Sequence, residues 1–465
     1  MEAALLVKKL RSEFAGPFEL SLGIGTCAAI TGSSGSGKSL FLRMITDLDP
    51  NEGEVWLNER ERASMSAPAW RKQVTYVSAE SGWWTDRVIE HFAANRRSEV
   101  AALAARLGLR VDLLDAPIAQ LSTGEKQRFS LIRAILPDPP VLLLDEPTGP
   151  LDEESVVRVE ALLRERMATG ASILLVTHDP NQAERLGNQR YRMAAGHLEH
   201  ESNSANAAGH LDRRLLDYPR CGAFDLAQAS AASANRYRRG ENGRATRCNR
   251  LCAAFHLFPE QPSSHPAPCC RHDARRAREV AARPERRFRG HTNLAIGFVS
   301  VGFATFVTAI LALTTAIRPQ PWFDPRYAIP LAGIILGNVL NSASLSLDSF
   351  LGSVHRERQA IEARLSLGEA YRQAIAPLVR EAIRRGLLPI INQMSAAGIV
   401  TLPGIMTGQI LAGLDPLEAV KYQILLMFLL SGGSGLSALV VSYLAAWRLT
   451  DQRQRLRLDR LSNRS

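Results

Sequence analysis

Continuous apolar runs alternate with helix-length polar stretches through residues 1–200. Cys27-Ala28-Ala29-Ile30, Val141-Leu142-Leu143-Leu144 and Leu174-Leu175-Val176 carry no polar alternation, so they predict strands buried on both faces. Leu40-Phe41-Leu42 predicts a helix start. The expectation is an α/β domain with a mostly parallel core sheet. The pattern then fails: residues 201–277 show neither a helical nor a strand period. It resumes as four long apolar segments, at 294–317, 328–352, 387–411 and 424–447. Each is close to the ~20 residues that a helix needs to cross a bilayer. Residues 278–465 are therefore expected to form an α-helical transmembrane domain with about four spans.

Overall hydropathy hides these segments. The 465-residue chain has a mean hydropathy of −0.08 and a net charge of +10, because the remainder is very polar. The placement of arginine is more informative. Arg283, Arg286, Arg287 and Arg289 precede the first segment, Arg356 to Arg385 separate the second from the third, and Arg448 to Arg464 follow the fourth. The other two connections carry only Arg318, Arg326 and Lys421. Arginine-rich loops stay in the cytoplasm, so four spans leave both ends of the domain on one side, with residues 1–200. Gly333/Gly337 and Gly404/Gly408 are small pairs suited to close helix approach. Pro389 and Pro403 are expected to kink or interrupt the third span. Asn338, Asn341, Ser342, Ser344, Ser346 and Asp348 form a polar stripe on the second; it reads equally as interhelical glue or as a path lining.

The chemistry is concentrated in the first domain. Gly32-Ser33-Ser34-Gly35-Ser36-Gly37-Lys38-Ser39 fits G-x-x-x-x-G-K-[ST] and sits between an expected strand and an expected helix. Such a loop wraps backbone N–H groups around the phosphates of ATP, with Lys38 neutralising charge and the Ser39 hydroxyl on Mg²⁺. The apolar run at 141–144 ends in Asp145 and Glu146. Taken alone, such acids are often a solvated strand end. Beside a phosphate loop, Asp145 reads as a second group for Mg²⁺ and Glu146 as the base that polarises the attacking water.

Leu121-Ser122-Thr123-Gly124-Glu125 precedes that strand and resembles the LSGGQ signature of ABC-transporter ATPases, with Thr123 and Glu125 as departures. Pro147, Asp152 and His178 match further elements of the same family. The resemblance implies an α/β ABC-type nucleotide-binding domain at 1–200. It further implies that Ser122 and Gly124 contact the γ-phosphate held by the opposite subunit, that Asp152 lies in the D-loop, and that His178 contacts the γ-phosphate of its own site. The family's usual Gln after the second strand falls on Ala79, with Glu80 next to it, which puts coupling in question. Phe14 and Phe18 are both candidates for stacking on adenine, and either could equally belong to the core.

Ile329-Pro330-Leu331-Ala332-Gly333, Arg364-Leu365-Ser366-Leu367-Gly368 and Thr401-Leu402-Pro403-Gly404 resemble the FetB permease family. That family pairs with a separate ATPase, FetA, in a transporter assigned to iron export. The resemblance implies two ATPases and two permeases, hence a homodimer of this fused chain. It also implies a multi-pass protein of the inner (cell) membrane with its ATPase in the cytoplasm, moving a small solute or metal ion. An ATPase anchored by an incomplete permease is the competing reading. The connection at 355–385 is the expected docking segment between the two domains.

Residues 201–277 fit neither family. Cys221, Cys248, Cys252, Cys269 and Cys270 fall here, with His256, His265 and His272 at spacings that match no familiar zinc site. Two readings stand: a basic, disordered linker, or a stretch translated out of frame that replaces the first spans of the permease. Neither needs nucleic acid to explain the positive charge. Residues 1–10 have no apolar core of secretory length.

Overall fold

The structure is a computed structural model and describes residues 3–194, 196–201, 286–290, 292–321, 324–397 and 403–463. Residues 202–277 with their cysteines and histidines, together with Arg283, Thr401 and Leu402, lie outside the described residues.

β2 (Phe18–Gly23) alternates buried and exposed positions, as one-sided antiparallel strands do, and its partner β1 (Ala3–Arg11) does so from Leu5 to Lys8, before a register irregularity between Val7 and Leu10. β3 (Cys27–Thr31) is buried almost throughout and leads into α1 (Lys38–Ile45). β4 (Glu52–Leu57) and β5 (Arg60–Glu61) complete a four-stranded antiparallel sheet in the order β2-β1-β4-β5. α2 (Ala67–Gln73) then feeds β6 (Val74–Val77). A helical region follows, with α3 (Arg97–Arg106) and α4 (Thr123–Ile135). Next come β7 (Val141–Asp145), α5 (Glu153–Ala168), β8 (Ser172–Val176), α6 (Pro180–Leu186), β9 (Gln189–Ala194) and β10 (His197–His200).

The core sheet runs β10-β9-β3-β8-β7-β6 and is parallel from β9 to β6. β6, β7 and β8 are buried at every position, and β7 and β8 carry the apolar runs read from the sequence. Register decides the geometry of the site. Val176 lies beside Ile30 on one side and beside Asp145 on the other. The loops after β3, β7 and β8 therefore emerge together at the carboxyl edge, where α/β sheets bind ligands.

The second part begins with β11 (Arg286–Phe288) and α7 (Thr292–Leu311), which runs on into a π-helical turn at Ala312–Ile317. α8 (Pro325–Arg356), α9 (Arg358–Ser366), α10 (Tyr371–Ala396), α11 (Gly404–Leu411) and α12 (Pro416–Arg448) follow, then β12 (Leu461–Asn463), which pairs with β11. Among the described residues, three helices are long and apolar enough to cross a membrane: Thr292–Thr315, Tyr327–Arg356 and Pro416–Arg448.

The expected third span at 387–411 is not one continuous helix. α10 starts earlier, with Arg372, Arg380, Arg384 and Arg385 within its first fifteen residues, and stops at Ala396. α11 is a separate short helix with Pro403 at its N-cap. Proline lacks the N–H of an inner helical turn and restricts the residue before it, so Pro403 starts a helix more readily than it continues one. The small residues also act at other positions than expected. A Cβ at Gly333, Gly337, Gly404 or Gly408 would meet nothing nearby. One at Gly433 on α12 would press on Thr308 Oγ1 at 3.1 Å and Val339 Cγ2 at 3.2 Å, and one at Gly386 on α10 would collide with Ser346 Oγ. Close approach of α12 to α7 and α8, and of α10 to α8, rests on these two glycines. Ser437 Oγ adds a hydrogen bond to Val339 O across α12 and α8.

Candidate nucleotide site and its connection to the membrane helices

The phosphate loop is held open by three glycines in left-handed conformations: Gly32 (φ 149°), Gly35 (φ 77°) and Gly37 (φ 103°). At Gly32 a side chain would also strike Met193 O, so backbone shape and close approach both require glycine there. Gly37 caps α1, so Lys38 begins the helix and its ammonium folds back onto Gly32 O (2.8 Å) and Ser33 O (2.9 Å). Burial lowers the affinity of Lys38 for its proton, opposed by Glu146 and then Asp145. Ser34 and Gly35 are exposed at the loop tip, and the buried Ser36 Oγ has no partner.

Asp145 closes β7 and is buried; its Oδ2 accepts from Tyr76 Oη at 3.0 Å. Burial raises its proton affinity, opposed by hydrogen bonds from Ser39 and Tyr76. Its Oδ1 is buried and has no partner. An orphaned carboxylate oxygen beside a hydroxyl fits a hard cation, so Asp145 and Ser39 suit Mg²⁺. Glu146 follows in a left-handed conformation (φ 49°) that turns its side chain out of the strand line, with its N–H on Val176 O. His178 Nε2 lies 2.8 Å from Glu146 Oε1. The structure thus brings Lys38, Ser39, Asp145, Glu146 and His178 to one sheet edge, as the sequence reading expects.

The remaining expected residues are placed as follows. Ser122 is the N-cap of α4 and forms a capping box with Glu125, whose Oε2 accepts from Ser122 N (2.8 Å) and Ser122 Oγ (2.9 Å). Glu125, a departure from the signature, thereby secures the helix start. Gly124 is packed on Leu151 and Pro150 O, which would meet an added Cβ at 3.1 and 3.2 Å. Asp152, at the start of α5, is exposed. Phe18 is fully buried against Phe41, with ring centroids 4.6 Å apart, and belongs to the core; Phe14 is 82% exposed and is the one free to stack.

The segment with Ala79 meets the second part of the chain through its neighbour Glu80. Glu80 accepts a hydrogen bond from Gln359 Nε2 on α9, and Gly82 packs so closely that a Cβ would overlap Gln359 O. α9 falls inside the connection singled out in the sequence. Arg43 of α1 bridges Asp49 (2.6 Å) and Glu362 of α9 (2.7 Å), all well shielded. Gly368, at φ 80°, ends this segment against Pro68 O of α2. Trp83 and Trp84 complete the contact. Arg133, near the end of the signature helix α4, stacks on Trp83 (4.8 Å) and Trp84 (4.6 Å), and Arg364 of α9 lies over Trp84 at 5.7 Å. His91 accepts from Trp84 N at 3.0 Å and holds this loop; burial, helped by the Arg133 charge, lowers its pKa to about 4. The sequence reading missed Trp83, Trp84 and Arg133. An adjacent tryptophan pair in a polar stretch was the available signal.

A phosphate loop with paired acids and a switch-position histidine, joined to long apolar helices, defines a P-loop ATPase carrying a membrane domain. Comparison with known proteins makes this specific. The family described as ABC transporter matches residues 16–149, and the uncharacterised protein family UPF0014 matches residues 275–449. The chain is 34% identical over 194 residues to the lipoprotein-releasing system ATP-binding protein LolD of Saccharophagus degradans, covering 37% of this chain and 83% of that one. It is 43% identical over 159 residues to the UPF0014 membrane protein slr1647 of Synechocystis, covering 34% of this chain and 61% of that one. The probable iron export permease protein FetB of Escherichia coli is 35% identical over 168 residues, covering 36% and 63%. This chain therefore belongs to the ABC-transporter family, with an ATP-hydrolysing domain fused to a UPF0014 membrane domain. It spans about three-fifths of the length of these two membrane relatives.

Proposed function

We propose that the chain is an ATP-driven transporter that exports a metal such as iron across the inner membrane, acting as a homodimer with its ATPase in the cytoplasm. The observation that carries this reading is the docking of α9. It touches the phosphate-loop helix through Arg43–Glu362 and the signature helix through Arg364, Trp84 and Arg133. A membrane anchor needs no such link to both halves of a nucleotide site; a machine that moves its membrane helices with ATP does.

In this reading the backbone from Gly32 to Gly37 cradles the phosphates and Lys38 leaves its two carbonyls to neutralise them. Ser39 and Asp145 would hold Mg²⁺, which would supply further charge neutralisation. Glu146 takes the proton of the attacking water, and His178 fixes the Glu146 carboxylate and reaches the γ-phosphate. Ser122 and Gly124 complete the site of the opposite subunit, with Asp152 in the loop between the two. Lys38→Ala is expected to weaken ATP binding at least tenfold in equilibrium dialysis, since a buried charge-assisted contact contributes about 1.5–3 kcal/mol. Ser122→Arg should leave nucleotide binding to the separate subunit within twofold. It should cut turnover at least tenfold by placing a long cation against the closing face. Unchanged turnover in Ser122→Arg would count against a shared site.

The cargo is the part carried by the relatives. Among the described residues no group of three or more His, Cys, Asp or Glu side chains is gathered to hold an ion. A cavity of about 460 Å³ between α10, α11 and α12 is lined by Met394, Met406, Met427 and Gln423, which offer thioethers and an amide. Three helices of spanning length among the described residues, against the four expected, favour a second reading: a membrane-anchored ATPase without transport. Proteoliposomes separate the two. ATP-dependent loss of iron from the side bearing the ATPase supports transport. Intact turnover with no flux of any metal tested supports the anchor.

A further inference from the structure

The arginines after α12 act as more than topological charge. Asp47, just beyond the C-terminus of α1, is fully buried, and both its carboxylate oxygens are taken by the tail: Arg453 Nε reaches Oδ2 at 2.5 Å and Arg455 Nε reaches Oδ1 at 3.0 Å. Arg71 of α2 ties the same point. Its Nη2 donates to Asp47 O (2.6 Å) and Arg453 O (3.1 Å), and its Nη1 to Gln454 O (3.2 Å). Asp47 adopts φ 63°, a conformation that Asp and Asn tolerate best among residues with side chains. Arg453 closes the contact from above, its guanidinium donating to Met65 O at 2.7 Å and Arg62 O at 3.2 Å.

The same tail holds the near ends of the membrane helices. Gln454 Oε1 accepts from the N–H of Tyr371 at the start of α10, and Tyr371 Oη donates to Ala446 O near the end of α12. Arg460 donates to Arg448 O (2.6 Å) at the end of α12. β12 pairs with β11, which leads into α7. One short stretch therefore joins the C-terminal end of the phosphate-loop helix to the ends of α7, α10 and α12. α1 is only eight residues long; its N-terminus cradles phosphate and its far end grips the tail.

We propose that residues 449–463 form a clasp that carries nucleotide-driven movement of α1 to the membrane helices directly, as a second route beside α9, with Asp47, Arg453 and Arg455 as its positioning residues. The clasp rests on the reading of the chain as an ATP-driven machine. Breaking one partner of a buried ion pair leaves an uncompensated charge, so the test uses two variants that avoid this. Asp47→Asn with Arg453→Ala and Arg455→Ala removes both ion pairs together. A Gly-Ser insertion between Thr450 and Asp451 leaves Asp47 its partners but slackens the link to α12.

The test is hydrogen exchange on the full chain in lipid nanodiscs, with and without ATP, in a Glu146→Gln background that holds nucleotide. In that background ATP should slow exchange in α1 and change it at the end of α12 and the start of α10. In both variants the response of α1 should persist while the response of α12 falls about tenfold, the scale of an ordinary coupling between sites. The insertion should do so with an unchanged melting temperature, which a purely structural clasp would not give. A response of α12 that survives within twofold in both variants overturns the clasp and leaves the ATPase reading standing. An α1 silent to ATP before any change to the tail overturns both.

Discussion

Glu146→Gln is expected to bind ATP as the parent chain does and to release phosphate about a hundredfold to ten-thousandfold more slowly, the usual contribution of a positioned general base. The glutamine keeps the size of the side chain and a carbonyl oxygen to face His178 Nε2, now 2.8 Å from the carboxylate. It loses the basicity needed to accept a proton from water. Nothing in the phosphate cradle changes, because Lys38 bonds to the loop carbonyls and not to Glu146. Removing the acid also removes the larger of the two charges that favour protonated Lys38, while Asp145 remains. Steady-state phosphate release measured beside equilibrium dialysis checks this. Near-parental turnover in Glu146→Gln would move the base elsewhere, and a loss of binding equal to the loss of turnover would mean that Glu146 holds the nucleotide.

The nucleotide site was legible because each of its parts combines a chemical and a local structural signal. The run Val141-Leu142-Leu143-Leu144 declares a buried parallel strand, so Asp145 and Glu146 must sit at a strand end, and Gly32 to Ser39 must follow another. Parallel register then brings them together without further information. The contacts between the two parts of the chain were less legible, since they join residues far apart in sequence through polar groups without periodicity. Ala79 in place of Gln put coupling in question; the adjacent Glu80 meets Gln359, a partner that the sequence does not name. Arg453 and Arg455 read as loop charge because positive residues beside a span need no partner. Their partner, Asp47, lies in a polar stretch after α1 with no sign of burial. The length of the third apolar segment suggested a span while its prolines announced a break: one helix ends at Ala396 and the next starts behind Pro403.

Gly82→Ala is expected to separate hydrolysis from whatever the membrane helices do. The new Cβ would overlap the backbone oxygen of Gln359 and press on Ala363 Cβ at 2.8 Å. A backbone atom inside a docked helix cannot rotate aside, so α9 must lift. Lifting α9 strains its other attachments: the hydrogen bond from Gln359 to Glu80, the Arg43–Glu362 pair and the Arg364 contact on Trp84. Arg43 keeps Asp49, so α1 is not left with an unpaired cation, and the phosphate loop is untouched. Overpacking of this kind costs about 1–3 kcal/mol, enough to undock one helix without unfolding a domain. In the full chain, basal ATP turnover should stay within about threefold, because interactions this far from phosphate leave the chemical step alone. Any ATP-linked flux or stimulation of turnover by cargo should fall at least tenfold, the loss that about 1.4 kcal/mol of coupling produces. Flux and turnover measured on the same proteoliposomes give the answer. If both fall together, α9 shapes the nucleotide site itself; if neither moves, the contact at Gly82 is not where force crosses, and the tail that grips Asp47 becomes the principal link.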